Sequence, residues 1–131
     1  MINEKLLGTM PNDINEIKNN IEKMQGKVLW TNPKPGVSIS SNQTINLSNS
    51  SYDYLEIFYK QNTNLDIFYS RKIPKGYSTR LGIDTTDGFA YRGLTRVNDS
   101  QYTINPISIN FTSSVKDSLA IPTCIVGYKN S

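Results

Sequence analysis

The feature that most constrains this chain is a narrow apolar seam near its N-terminus. The apolar residues recur at alternating spacings of three and four, at Ile14, Ile17, Ile21, Met24 and Val28. Only the a and d positions of a heptad are apolar, which is typical of a coiled coil, whereas a helix docked on a globular domain carries a wider stripe. The sequence therefore predicts a helix that associates with copies of itself.

Local signals set the ends of this helix. Asp13 and Glu16 can form a capping box, Pro11 disfavours helix before the cap, and Gly26 predicts the end. A helix of about four turns is marginal alone in water, and isoleucine at both a and d favours three or more strands over two. We therefore predict a coiled-coil stem over residues 12–27 of a homotrimer. The alternative is an amphipathic helix folded back on its own β domain.

Composition limits the remaining possibilities. The chain has 131 residues and a net charge of +3, with its basic residues spread along the sequence. One domain with a short appendage is expected, and no nucleic-acid-binding surface is indicated. No apolar run approaches the roughly 20 residues that span a bilayer, and the N-terminus lacks the apolar core of a signal peptide. The sequence predicts neither membrane insertion nor a nucleic-acid partner.

The chain contains one cysteine, Cys124, and no histidine. An intramolecular disulfide and a Cys/His zinc site are therefore excluded, and the commonest general base is missing. Cys124 lies in an apolar run and is expected to be a buried core thiol rather than a nucleophile. We predict no cofactor and no metal site.

After Gly26 the pattern changes from helical to β. Short runs with apolar alternation, separated by turn residues, predict strands at 28–31, 37–41, 44–47, 52–59, 65–73, 77–83, 89–97, 101–112 and 119–128. Both faces of the run 52–59 are partly apolar, which favours a central strand, and Pro106 predicts an edge or a bulge. The fold class is thus mainly β: a short N-terminal coiled-coil helix followed by an antiparallel, jelly-roll-like β-sandwich head over residues 28–131.

Two groups of residues are candidates for chemistry. Carboxylates at Asp84, Asp87 and Asp99 could serve a glycoside hydrolase, and the first two could bind calcium, although both are ordinary turn residues. The second group combines aromatic rings and guanidinium groups on neighbouring predicted strands, as surfaces that bind sugars or single-stranded nucleic acid do. The alternative is structural, since tyrosines in a sandwich more often lie half-buried with the hydroxyl in water. This possible ligand surface consists of Tyr77, Arg80, Tyr91, Arg92 and Arg96.

Residues 1–11 precede the stem and have no predicted fold of their own. Their apolar residues Leu6, Leu7 and Met10 predict an anchoring peptide that orders on a partner surface, with a frayed end as the alternative.

Three segments together resemble small bacteriophage virion proteins of the fibre or receptor-binding type. They are 28–33 (VLWTNP), 52–59 (YDYLEIFY) and 121–129 (IPTCIVGYK). The resemblance implies a trimer with a helical stem and a β-sandwich head on the virion surface, as a head fibre, a decoration protein or a tail tip. It implies other virion proteins of the capsid or tail as partners. Host-surface carbohydrate is a candidate ligand for such a protein. It transfers no catalytic residues, so we do not expect an enzyme. A surface-polysaccharide hydrolase and a monomeric carbohydrate-binding module are the alternatives.

The seam leads to a direct prediction. Replacing both Ile17 and Ile21 with Asn should separate the subunits while the head stays folded, because unpaired polar groups at core positions weaken a coiled coil. Sedimentation would measure the oligomeric state and circular dichroism the β signal. A double variant that remains oligomeric would show that the heads alone hold the assembly.

Overall fold

The computed structural model describes residues 26–130, which form eight β-strands and one short 3₁₀ helix. The strands are β1 (Lys27–Thr31), β2 (Gln43–Asn46), β3 (Tyr54–Asn62), β4 (Leu65–Pro74), β5 (Thr79–Thr85), β6 (Gly88–Asn98), β7 (Gln101–Ile109) and β8 (Leu119–Tyr128). The 3₁₀ helix spans Lys116–Ser118. None of the helical segments within 26–130 is long and apolar enough to cross a bilayer.

All strands pair antiparallel in two four-stranded sheets. Sheet 1 has the order β1-β8-β3-β4 and sheet 2 the order β2-β7-β6-β5. The first strand thus pairs with the last, and the second with the seventh, while β3–β4, β5–β6 and β6–β7 are sequential hairpins. The three segments that carry the phage resemblance fall on β1, β3 and β8, which are adjacent in sheet 1.

The mainly β architecture predicted for the head is confirmed, and its strands follow the alternation in the sequence. The predicted strand 119–128 coincides with β8, and the run 52–59 falls largely within the interior strand β3. The predicted strand at 37–41 is wrong. Ile39 instead lies buried in the β1–β2 loop, where its N–H donates to the carbonyl of Asp117 at 2.9 Å.

The predicted stem lies almost wholly outside the described residues, as do the anchoring residues. This applies to the following seven positions: Ile14, Ile17, Ile21, Met24, Leu6, Leu7 and Met10. Val28 is described, and its predicted place on the helical seam is wrong. It is an extended residue of β1, opposite Val126, because the chain turns at Gly26 with a φ of +68° and β1 begins at Lys27.

The two sheets share one core built from alternate side chains. Leu55 and Ile57 of β3 are fully buried, as are Leu81 of β5 and Leu94 of β6. A hydrogen bond also joins the sheets: the Tyr59 hydroxyl of β3 donates to the carbonyl of Gly82 in β5 at 2.7 Å. Burial of apolar area from both sheets is the main stabilising contribution to such a core.

Pro106, which has no backbone N–H, lies in β7 at a point where neither neighbouring strand is paired with it. The pairing of β7 with β2 ends at Ile104, and the register with β6 shifts between Arg92 and Leu94. The prediction of an edge or a bulge at Pro106 is therefore confirmed as a bulge in an interior strand.

A buried guanidinium group joins the two sheets and a loop. Arg92 of β6 is 0% exposed, and its three nitrogens donate at 2.8 to 3.3 Å to backbone carbonyls. The accepting carbonyls belong to Ile39, Asn105, Asp117, Leu119 and Ala120. They come from the β1–β2 loop, β7, the 3₁₀ helix and the start of β8.

This arrangement holds the start of β8 in an unusual conformation. Ala120 has a φ of +51°, a left-handed conformation that is costly for a residue with a Cβ. Its carbonyl accepts from Nε of Arg92 at 2.9 Å. Burial lowers the pKa of Arg92 to about 10, so the group remains charged at neutral pH and its charge is balanced by carbonyl dipoles.

We predict that Arg92→Met destabilises the protein by about 3 kcal/mol or more, because several buried carbonyls lose their donor at once. The free energy of unfolding in urea would measure this. Arg80→Met is the matched control: Arg80 is an exposed arginine on the adjacent strand, and its replacement should cost less than about 0.5 kcal/mol. Equal unfolding midpoints for the two variants would contradict the structural role of Arg92.

Candidate functional site

A shallow groove lies on the outer face of sheet 2, across β5, β6 and β7. It encloses about 390 Å³, within the range of small-molecule sites. We call it the sheet groove, and its lining residues are Ser78, Thr79, Arg80, Tyr91, Gly93, Thr95, Asn105, Pro106 and Ser108. There is no carboxylate among these described lining residues, and the guanidinium of Arg80 is their only charge.

The register of β5 and β6 brings Arg80 and Tyr91 together. Arg80 lies opposite Gly93, two residues along β6 from Tyr91, and both side chains point away from the core. The guanidinium carbon of Arg80 lies over the Tyr91 ring, 4.7 Å from its centroid. This cation–π contact fixes the guanidinium group at the groove surface with its N–H donors available for a ligand.

Gly93 forms the base of the groove because it has no side chain. A Cβ at this position would lie 2.6 Å from Oδ1 of Asn105, so the Asn105 side chain occupies the space above the glycine. The same oxygen accepts from the Thr95 hydroxyl at 2.7 Å, and Nδ2 donates to Asn42 at 3.2 Å. The amide is therefore held in one orientation.

The sheet groove is connected to the buried guanidinium beneath it. The backbone carbonyl of Asn105 accepts from Nη1 of Arg92 at 3.0 Å, from the opposite side of the sheet. Asn105 is thus fixed through both its side chain and its backbone. Such a preorganised polar group loses little entropy when it binds a ligand.

The structure brings together only two of the five residues predicted as a ligand surface. Arg80 and Tyr91 meet in the sheet groove, whereas Tyr77 is 61% exposed in the β4–β5 connection and does not line it. The inclusion of Arg92 was wrong, because the alternation that turns Tyr91 outward turns Arg92 into the core. Arg96 points to the same side as Arg92, near the end of β6.

Arg96 belongs to a structural cluster at this end of the two sheets. It donates through Nε and Nη2 to Oδ1 of Asp99 at 3.1 and 2.8 Å, and this hydrogen bond raises the pKa of Arg96. The hydroxyl of Tyr52 donates to the Asp99 carbonyl at 2.6 Å, and burial raises the pKa of Tyr52. These contacts stabilise the β6–β7 turn and leave Arg96 out of the sheet groove.

One of the three candidate carboxylates, Asp99, lies far from the other two within one chain. Asp84 and Asp87 lie at the β5–β6 turn, whereas Asp99 follows the other end of β6. The 11-residue strand β6 between them is roughly 36 Å long at about 3.3 Å per residue, too far for the paired carboxylates of a glycosidase. Within residues 26–130, no three acidic or cysteine side chains are grouped so that they could hold a metal ion.

A second groove runs along the side of the molecule where the edge strands β4 and β5 meet. It encloses about 440 Å³ and is lined by Tyr69, Gly82, Ile83, Asp84, Phe89, Ala90 and Tyr91. Tyr69 stacks on Tyr59, with ring centroids 5.5 Å apart, and Tyr59 in turn donates to the Gly82 carbonyl. Tyr91 thus lines both grooves and separates them.

Cys124 is half-buried rather than part of the core. It lies opposite Phe58 on β3 and Thr31 on β1, and therefore on the outer face of sheet 1. Burial raises the pKa of the Cys124 thiol, which keeps it protonated at neutral pH.

Of the two grooves, the sheet groove has the better chemistry for a polar ligand. It combines a fixed guanidinium, an oriented amide and hydroxyl groups with a tyrosine ring. The sequence did not indicate Gly93, Thr95 or Asn105, because their proximity depends on the β6–β7 register. The bulge signal at Pro106 was the only indication that this register shifts beside Gly93.

We predict that Gly93→Ala destabilises the protein by about 1–3 kcal/mol, because the new methyl group would displace the Asn105 amide. Thermal or urea unfolding would measure the change. Gly82→Ala is the matched control on the adjacent strand, where the nearest atom would be 4.0 Å from the new Cβ. It should be neutral or stabilising by up to about 1 kcal/mol. Equal stabilities of the two variants would contradict the close packing of Asn105 on Gly93.

Comparisons with known proteins add no independent assignment. No protein family, no curated protein and no solved structure matched the chain.

Proposed function

We propose that this chain is a structural and adhesive protein of a bacteriophage virion surface, a short homotrimeric fibre whose β head binds host-surface glycans. The carrying observation is the sheet groove, in which Arg80, Tyr91 and Asn105 are fixed on the outer face of sheet 2. In this proposal the head acts by binding alone, without catalysis.

The groove chemistry suits an anionic carbohydrate. Sugars present hydroxyl groups and apolar C–H faces, which an amide, hydroxyls and an aromatic ring can contact together. Arg80 adds a bidentate donor for a carboxylate or phosphate substituent. The groove is shallow, so a single site would bind weakly, and three heads on one fibre would raise the overall affinity through effective concentration.

The proposed architecture is the coiled-coil stem predicted over residues 12–27, ended before Lys27 because β1 begins there, leading into a β-sandwich head. In a jelly roll the strands pair from the ends of the chain inward, and β1–β8 and β2–β7 follow that rule. The inner strands form hairpins instead, so the head is jelly-roll-like only in its outer four strands. The positive φ of Gly26 is compatible with a helix that ends there.

Attachment to the virion is proposed to reside in residues 1–11, through Leu6, Leu7 and Met10. Three copies of a short apolar peptide can anchor a trimer on a capsid or tail protein even when each contact is weak. The protein would be made in the host cytoplasm and assembled on the particle surface.

The two alternatives differ from this proposal in testable ways. A surface-polysaccharide hydrolase would need two carboxylates across a cleft, and Asp84 and Asp99 lie at opposite ends of β6, so this pair could act together only between different chains. A monomeric carbohydrate-binding module would have the same groove and would differ only in oligomeric state.

We predict that the protein binds anionic surface polysaccharide, and that Arg80→Ala and Tyr91→Ala each weaken binding by about tenfold without loss of fold. Calorimetry or glycan-array binding with purified bacterial surface polysaccharide would measure this. Tyr77→Ala is the control, since it removes an exposed tyrosine that does not line the groove and should leave the affinity unchanged.

If all three variants bind the polysaccharide as tightly as the wild type does, the ligand does not bind in the sheet groove. Release of shortened polysaccharide by the wild-type protein would favour the hydrolase instead.

A further inference from the structure

The outer faces of the two sheets differ in chemistry. Sheet 2 presents the polar sheet groove, whereas sheet 1 presents apolar side chains on β1, β8 and β3. The register places Val28 opposite Val126, and Cys124 opposite Phe58, all on the side of sheet 1 that faces away from the core. Val28 is 61% exposed. A strand that is apolar on both faces is typical of a sheet that is covered on both sides.

Aromatic rings extend this apolar surface toward the chain ends. Tyr54 and Tyr128 stack with centroids 4.9 Å apart and nearly parallel planes. The Tyr128 hydroxyl donates to Oε1 of Glu56 at 3.0 Å, so the Glu56 carboxylate beside these rings is already hydrogen-bonded. We call this surface, formed by Val28, Tyr54, Phe58, Cys124, Val126 and Tyr128, the apolar face.

The chain enters the head over the apolar face. A Cβ on Gly26 would lie 2.6 Å from Cε1 of Tyr128 and 2.8 Å from Cγ1 of Val126. Gly26 therefore rests on these two side chains, and the 25 residues that precede it begin at this surface. A partner that binds close to Gly26 would therefore lie next to the apolar face.

We propose that the apolar face is the surface by which each head contacts the neighbouring copies of this chain in the trimer. The proposal rests on the proposed stem, whose narrow seam is fully used between the three helices and leaves no apolar stripe to cover a sheet. A stem on the trimer axis places the face from which it emerges nearest to that axis. The three apolar faces then continue the interface of the seam into the heads.

The proposal predicts that Val28→Lys in the full chain raises the concentration at which the trimer dissociates by about tenfold or more, because a charge would be buried between subunits. Val97→Lys is the matched control: Val97 is 52% exposed on a strand of sheet 2. It should dissociate as the wild type does. Mass photometry over a dilution series would measure both, and thermal unfolding would establish that both variants are folded.

A second measurement uses the wild-type protein and needs no substitution. Alkylation of Cys124 by a maleimide should be about tenfold slower in the wild-type trimer than after dilution to the monomer. This inference would be overturned if Cys124 reacts in the trimer at the monomer rate and the Val28→Lys variant remains trimeric. The proposal of a trimeric fibre would not be affected by that result. A wild-type monomer with a protected Cys124 would instead show that the N-terminal segment folds back on the apolar face, and would overturn both.

Discussion

Hydrogen bonds to one fully buried guanidinium group hold the segments that connect the two sheets. Arg92 sits between the sheets, and five backbone carbonyls from four separate segments converge on its guanidinium group. An apolar side chain could fill the same volume but could not satisfy these carbonyls, which would then be buried without donors. The β1–β2 loop, the 3₁₀ helix and the start of β8 are therefore fixed by hydrogen bonds rather than by apolar packing alone.

The same residue connects stability to the candidate site. Asn105 gives its carbonyl to Arg92 and its side-chain oxygen to Thr95, so the amide that forms part of the sheet groove is held from both sides of the sheet. The groove itself needs little further support, because Arg80 rests on Tyr91 and the Asn105 side chain packs over Gly93. A binding surface on rigid strands suits an adhesive head better than one on mobile loops.

The sequence predicted the strands far better than it predicted the site. Alternation located β3, β6 and β8 because each strand has one strongly apolar face, and local spacing carries that signal. Pairing register carries no comparable local signal, so the approach of Asn105 to Gly93 could not be foreseen. Arg92 was placed on the surface because of its charge, although its position in the alternation pointed inward. The carbonyls that satisfy its buried guanidinium lie up to 53 residues away in the sequence, so no local signal indicated them.

The described head has two outer surfaces of different chemistry: the polar sheet groove on sheet 2 and the apolar face on sheet 1. We propose that the sheet groove binds ligand and that the apolar face contacts other copies of the chain. The second role requires an oligomer, so the oligomeric state is the central claim. The mass of the full-length protein at micromolar concentration tests it most directly. The account predicts a particle of three 14.8 kDa chains, and a stable particle of one chain would contradict it.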